Sequence, residues 1–578
     1  MSAPSFPSSR RARLEQWAPG LRVLRTYDRS WLPKDLVAGL VLSALLIPQG
    51  MAYAELAGLP AITGLYTTVI CLLAYAIFGP SPRLVLGPDS SLGPMIAAAI
   101  LPLAAGSVDR AVSLAGMLAL LVGAICVVAA VARLGFVADL ISKPVRMGYL
   151  AGLAVTIVVG QLPKLLGFSV DADNFVQEVR AIVTQLGQTN FWTFAVGLLT
   201  LGIIVGLRRW APRAPGILFA VFAAIIFTSL LNLAAHDVAT VGVLPQGFPL
   251  PGLPRVSLSD LPILIATAFG ISLVAIGDTI STSAGFAARQ SLEVDANQEL
   301  VGIGAANVLA GLFQGFPIST SSSRTAVAEQ SGAKTQLTGV ASAAVVLIML
   351  LFLPGLVRNL PQSALAAILI VAAAGLLDLE GLRQLLRESQ SEFVLAIICA
   401  LGVIFIGVLQ GILVAILLSV FQLFARIWRP RWAVMGREDG LPGFQDLQRH
   451  PAARPLPEIL IIRWSAPLMF ANATVFRSVV REQLAQRDPQ PKWVVIAAEP
   501  ITELDTTAGD MLRDLDLELN AKGIHLAFAE LQGPVREHLI KLGLQKTIDA
   551  RNFYPTLDTA IEAIAEQTPT ESEQRPLD

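Results

Sequence analysis

Residues 311–336 read GLFQGFPISTSSSRTAVAEQSGAKTQ and lie between two long apolar runs. From Ser319 to Thr325 every residue carries a hydroxyl except Arg324. Pro317 disfavours helix immediately before it, and a Ser/Thr run suits a helix start. If the flanking runs cross a bilayer, this helix begins inside it. Its first N–H groups then lack partners and point at the midplane. Such a start attracts an anion, with a helix-dipole term of about 0.3–2 kcal/mol. Arg324, in the first turn, adds a full charge that hydrocarbon tolerates only beside water or a partner. The plainer alternative is that the serines cap a kinked helix and Arg324 reaches an interface.

The rest of the chain favours the first reading. Of 578 residues, 54% are hydrophobic and 15% charged, with a mean hydropathy of +0.64. That is membrane composition, since soluble domains carry about 25% charged residues. A net charge of -1 argues against a nucleic-acid partner. Cys71, Cys126 and Cys399 sit far apart in apolar runs, and the histidines fall outside those runs, so no metal and no cofactor is expected. The polar, basic start MSAPSFPSSRRARLEQW lacks the features of a signal peptide, which predicts that the first span stays as an anchor.

A crossing needs roughly 20 apolar residues. Candidate stretches fall at 36–56, 62–79, 89–104, 110–132, 145–163, 191–207, 214–234, 261–282, 298–314, 322–335, 336–354, 362–378, 392–407 and 408–427. Two of these fourteen, 89–104 and 322–335, are too short to cross, and both open with a polar Gly/Pro/Ser turn. They are the third and the tenth, the same position in two sets of seven. Paired short segments in corresponding positions point to an inverted-repeat transporter. Basic residues, among them Arg208, Arg209, Arg213 and Arg289, favour one side, fourteen against five. This places both termini in the cytoplasm. The expected fold is thus a membrane all-α domain of fourteen spans (36–430), built as a 7+7 inverted repeat (36–234 and 261–427) with two half-helices. A segment of residues 1–35 precedes it. From about 455 to 565, strands alternating with helices predict a soluble α/β domain, followed by a polar disordered tail at 566–578.

The second half-helix start is VLGPDSSLGPMIAAAI, 85–100, where Asp89, Ser90 and Ser91 are expected to open the helix. Two such starts face to face would form a pocket for one small anion. Asp89 would repel an anion unless protonated or turned aside, and it is equally readable as an ordinary N-cap. In the first span, Gln49 and Tyr53 share a helical face and can donate to an oxyanion, while Glu55 is either a solvated structural acid or a proton site. In the eighth, Asp278 is an acid within an apolar helix, with Thr282 one turn on. It suits cation coupling, or a simple salt bridge with Arg324.

Together IPQGMAYAELAGLP, LGPDSS, STSSSRTAV and GAKTQ, followed by an α/β module, resemble the SulP anion permeases over about residues 15–565. The resemblance implies core and gate domains, a cytoplasmic STAS domain, and a homodimer working by an elevator-like motion. It implies anion contacts from Gln49, Tyr53, the position of Asp89, and Ser321, Ser322 and Ser323. Asp278 with Thr282 matches the position that carries proton or sodium coupling in symporters, and Arg324 matches a basic residue of many members. Asp89 departs from the uncharged residue expected there. LDTTAGDML, 504–512, is similar to the loop phosphorylated in STAS regulators, with Thr506 at the modified position; the plainer reading is that it only caps a helix.

The functional expectation is proton-coupled uptake of a small oxyanion, sulfate first, across a bacterial-type inner membrane. The alternatives are sodium coupling, bicarbonate or a C4-dicarboxylate as substrate, and an uncoupled exchanger or channel, against which Asp278 argues. An enzyme is disfavoured because the spans hold no clustered nucleophile set.

Overall fold

The computed structural model describes residues 18–135, 142–170, 172, 174–211, 215–288 and 294–567. Arg213, Arg289, residues 1–17 and the tail from 568 lie outside them. The chain divides into two compact units, Met1–Ser419 and Val420–Asp578.

The first unit runs through α1 (Gly20–Thr26), α2 (Leu32–Leu56), α3 (Ala61–Phe78), β1 (Leu86–Gly87), α4 (Gly93–Ala104), α5 (Val108–Val131), α6 (Lys143–Leu166), α7 (Phe175–Gln185), α8 (Phe191–Trp210) and α9 (Gly216–Leu230). The plan then recurs as α10 (Leu261–Ala288), α11 (Ala296–Leu312), β2 (Ser319–Thr320), α12 (Ser322–Gln330), α13 (Leu337–Phe352), α14 (Gln362–Ala374), α15 (Leu379–Glu388), α16 (Gln390–Phe405) and α17 (Val408–Trp428). Each of the fourteen apolar stretches holds a helix. Eight candidate spans among the described residues are long and apolar enough to cross a membrane, and α4, α9, α13 and α16 are apolar but shorter. Two amphipathic helices, α7 and α15, were not expected, and each follows the fifth span of its half.

Packing follows the repeat. Helices α2–α5 pack with α10–α13, and α6, α8 and α9 pack with α14 and α16. Each group therefore takes corresponding helices from the two halves. Lipid tails offer helices no hydrophobic drive to associate, so close backbone approach matters. On α5, Gly116 and Gly123 face Gly311 and Gly304 of α11. A Cβ on Gly311 would lie 2.5 Å from the Gly116 carbonyl oxygen, and one on Gly123 2.7 Å from that of Gly304. None of these glycines has room for a side chain. The fully buried Asp35 of α2 ties down the chain after α12. It accepts from Lys334 N at 2.7 Å, Thr335 N at 3.1 Å, Thr335 Oγ1 at 2.8 Å and Thr338 Oγ1 at 3.0 Å.

The second unit includes the end of α17 and a six-stranded sheet in the order β4–β3–β5–β6–β7–β8. Its strands are β3 (Trp432–Gly436), β4 (Gln445–Asp446), β5 (Ile459–Trp464), β6 (Trp493–Ala497), β7 (His525–Ala529) and β8 (Phe553–Tyr554). From β5 to β8 the pairing is parallel, while β3 and β4 join antiparallel. Helices α18 (Ala473–Ala485), α19 (Thr506–Ala521) and α20 (Gly533–Lys541) cover one face, and α21 (Leu557–Gln567) the other. Covering both faces explains why β6 is buried along its whole length. The sheet begins at Trp432, before the expected 455, because the antiparallel strands β3 and β4 precede β5. Asn472 precedes α18 but does not cap it with its side chain. It instead accepts from Met469 N at 3.0 Å and donates to the carbonyls of Ile427 at 3.0 Å and Pro467 at 2.9 Å.

Candidate anion site

The two chain breaks meet inside the first helix group. Strands β1 and β2 pair antiparallel, Leu86 with Thr320 and Gly87 with Ser319. The ladder is extended by Ser321 N donating to Val85 O at 3.2 Å, and Thr325 Oγ1 accepts from Val85 N at 3.1 Å. Non-helical backbone at membrane depth persists only where its polar groups are paired, and here each break pairs the other. Asn307 of α11 holds the entry, accepting from Ile318 N at 2.9 Å and donating to its carbonyl at 3.2 Å.

Ser321 caps α12, its Oγ accepting from Arg324 N at 3.5 Å, and lies 3.1 Å from Ser323 Oγ. Ser322 and Ser323 are exposed although the residues on either side are buried, so the open side of the site is hydroxyl-lined. Helix α10 supports this start: Thr282 Oγ1 lies 3.0 Å from Ser322 Oγ, and Thr320 Oγ1 donates to Thr279 Oγ1 at 2.9 Å.

Arg324 points the other way. It is 1% exposed, and its Nη2 donates to the Gly87 carbonyl at 3.5 Å and lies 3.6 Å from Asp89 Oδ1. At that distance the pair attracts by about 5 kcal/mol at an effective dielectric of 20. Its Nε and Nη1 have no hydrogen-bond partner. A Cβ on Gly87 would sit 2.6 Å from Nη1, so glycine makes room for the guanidinium. The salt bridge weighed for Arg324 and Asp278 is replaced by one with Asp89.

Asp89 and its serines do not open α4, which starts at Gly93 after Leu92 with no side-chain cap. Asp89 Oδ2 instead accepts from Ser91 N at 3.0 Å and Ser91 Oγ at 2.7 Å, closing a local turn before the helix. Pro94 in the first turn of α4 delays the helix and leaves residues 89–92 as that turn. Ser90 is buried beside Tyr53. Tyr53 and Gln49 of α2 are both buried, and Gln49 Oε1 has no partner.

Asp278 faces this turn. Tyr149 OH of α6 donates to its Oδ1 at 3.2 Å, and Ser91 Oγ lies 3.3 Å from its Oδ2. Tyr149 belongs to the second helix group, so Asp278 spans the boundary between groups. Glu55 is not brought to this cluster. It pairs with Lys164 at 3.5 Å and lines a separate cavity of about 1000 Å³ with Asp109, Arg255 and Gln362.

Sequence reasoning passed over Glu299 of α11. It is fully buried, accepting from Tyr75 OH at 2.6 Å and from Ser81 Oγ. An acid within the apolar helix 296–312 was a usable signal. In the second unit, Thr506 is the exposed first residue of α19, while Asp505 is the cap, accepting from Ala508 N at 2.8 Å. Burial within the same unit pushes the Asp516 carboxyl up to about 6, and its Oδ2 has no hydrogen-bond partner.

The family model described as the sulfate permease family matches residues 32–399, and that of the STAS domain matches 450–560. The chain belongs to the sulfate permease family. A Mycobacterium tuberculosis protein named "Probable sulfate transporter" is 42% identical over 547 residues, 95% of this chain and 98% of that protein. The Arabidopsis thaliana "Sulfate transporter 4.1, chloroplastic" is 30% identical, over 96% of this chain and 84% of its own length. The structure of murine Solute Carrier 26 family member A9, described as an anion transporter in the inward-facing state, superposes with a TM-score of 0.90 at 21% identity. It covers 98% of this chain and 97% of that one, and establishes the shared fold. The chain is therefore a multi-pass membrane transport protein with a C-terminal STAS domain, and not an enzyme.

Proposed function

We propose that this permease is a secondary active transporter of a small inorganic oxyanion, sulfate foremost, driven by protons. The observation that carries the reading is the α12 start, where exposed Ser322 and Ser323 sit on a helix N-terminus backed by the buried Arg324. Hydroxyls and unpaired N–H groups donate to an oxyanion, and Arg324 supplies positive potential from behind rather than a direct contact. Gln49, Tyr53 and Ser90 complete the opposite wall, and Asp278 with Thr282 is the coupling position.

Asp278 ties coupling to motion. Ionised Asp278 and Asp89 together outnumber Arg324 by one charge, and that surplus beside an incoming divalent anion is unfavourable by about 4 kcal/mol per charge pair at 4 Å and a dielectric of 20. A proton removes that repulsion, so proton and anion bind together and reciprocally. The hydrogen bond from Tyr149 then links the protonation state to the contact between helix groups, whose relative sliding is the elevator step. We place the protein as a homodimer in a bacterial-type inner membrane with both termini cytoplasmic, in keeping with the basic-residue bias.

The test is uptake of labelled sulfate into proteoliposomes under an imposed pH gradient, then separately a sodium gradient, with bicarbonate and succinate as competitors. Accumulation against its gradient under inward proton force alone is the expected result. Accumulation only with sodium, or stronger competition by bicarbonate or succinate than by sulfate itself, would replace the coupling ion or the substrate. Thr506, exposed at a helix start, is the corresponding proposal for modification of the STAS domain, read out by whether Thr506→Glu changes the transport rate.

A further inference from the structure

Ser91 has one hydroxyl hydrogen and two carboxylates within reach, Asp89 Oδ2 at 2.7 Å and Asp278 Oδ2 at 3.3 Å. With both acids ionised it can serve only one of them. A proton on Asp278 resolves this, because Asp278 then donates to Ser91 while Ser91 donates to Asp89. The far oxygen of Asp89 faces Arg324 Nη2 at 3.6 Å. The four groups therefore form an unbroken line from the coupling acid to the buried cation.

We propose that Asp278, Ser91 and Asp89 are a proton relay whose end point is the counter-ion of Arg324, so that an arriving proton frees the positive potential of Arg324 to attract the transported anion. This deepens the proton-coupled reading and rests on it. The step balances: the Asp278 O–H bond breaks as its proton passes to Ser91 Oγ, and the hydrogen of Ser91 passes to Asp89 Oδ2. Ser91 remains a hydroxyl, Asp89 becomes neutral and Asp278 is left ionised, accepting from Tyr149 OH. Only a proton has moved. Arg324 has then lost its internal partner, and an entering anion restores neutrality.

The charged and titratable groups around the line fit this direction. Asp278 is faced by Tyr149 and Arg146 of α6 and by Asp89. Tyr53 of α2 lies within the fields of both Asp89 and Arg324. Arg146 and Tyr149 favour ionised Asp278 after transfer, whereas Arg324 favours ionised Asp89 before it. An anion near Arg324 takes over the role of Asp89, so substrate pulls the proton along the line.

The experiment measures sulfate binding to the purified full-length protein from acid to neutral pH. Wild type should bind more tightly as pH falls, by up to about tenfold per pH unit, the limit for one linked proton. Asp89→Asn should bind at neutral pH as wild type does in acid, with the pH slope abolished. A wild-type slope retained in Asp89→Asn overturns the relay alone. A wild type without slope overturns the proton-coupled reading as well. Ser91→Ala should slow pH-driven accumulation by about tenfold or more while Ser91→Thr, which keeps the hydroxyl, restores it. An alanine variant as fast as wild type overturns the relay even if Asp89→Asn does not fold.

Discussion

The two half-helix starts occupy the same position in their repeats and are built differently. At α12 the start is a serine cap with two further exposed serines and Arg324 in the first turn. At α4 the start has no side-chain cap, and its turn instead carries a carboxylate aimed at Arg324. One start attracts anions and the other holds an anion of its own. Under the proposed relay, matching positions in a repeat supply attraction and competition, and the site is switched by whichever charge is neutralised.

Arg324→Ala is expected to have the largest effect on this contrast. It removes the buried cation and leaves Asp89 unpaired, a loss of about 3–5 kcal/mol for a broken buried pair. Transport should fall to near background, whereas Arg324→Lys should retain a measurable rate. If Arg324→Ala folds and transports normally, the cation has no part in the site. Next in size is Asp278→Asn, which fixes the neutral form. It should still exchange sulfate across proteoliposomes but fail to accumulate it under a proton gradient. Full accumulation by that variant would move coupling elsewhere, with Glu55 the next acid to test.

Gly87→Ala probes the same contrast from the backbone. The added methyl would displace Arg324 Nη1, the far end of a side chain, rather than main chain. Expression should survive while apparent affinity drops, less than in Arg324→Ala; a variant with unchanged affinity would show that the guanidinium can shift freely. At the hydroxyl end, Ser322→Ala and Ser323→Ala should each weaken binding by about 1 kcal/mol, roughly fivefold, as for one neutral hydrogen bond. Unchanged affinity in both variants would remove them from the site.

Much of this arrangement was legible before any coordinates. The fourteen apolar stretches, the two breaks at matching positions, the hydroxyl run and the acid of the eighth span, Asp278, are signals of composition and period, which a single sequence carries. The β1–β2 ladder was not legible, because strands of two residues have no periodicity to read. For the same reason the partner of Arg324 could not be chosen: Asp89 and Asp278 are both acids in apolar surroundings, and only the turn before Gly93 decides between them. Asp89 looked like a cap because Asp-Ser-Ser before a helix usually is one, and Pro94 delays the helix by enough residues to defeat that rule. The amphipathic helices α7 and α15 lie between hydrophobic spans, where a search for long apolar runs passes over them.

The smallest expected effect concerns a buried acid of the STAS domain, Asp516, which unlike Asp89 has an oxygen without a partner. Its carboxyl is raised from 3.8 to about 6, so the folded state holds the proton more tightly than the unfolded one. Stability from this group is greatest below the unfolded value and is lost as pH rises through about 6. Asp516→Asn should therefore raise the Tm of the isolated domain at neutral pH, and the gain should vanish in acid. An equal gain at both pH values would mean that charge burial is not the cause.

The ladder between β1 and β2 also bears on how the protein is made. During synthesis β1 emerges before α4 to α11, and its partner exists only after the second break has been inserted. Until then its backbone polar groups need water or a temporary partner within the membrane. The first half alone should therefore be a poor substrate for stable insertion, and the site is completed late, as a joint product of both halves. Co-expressing the two halves as separate chains should rescue each other's accumulation, in the manner of complementing fragments.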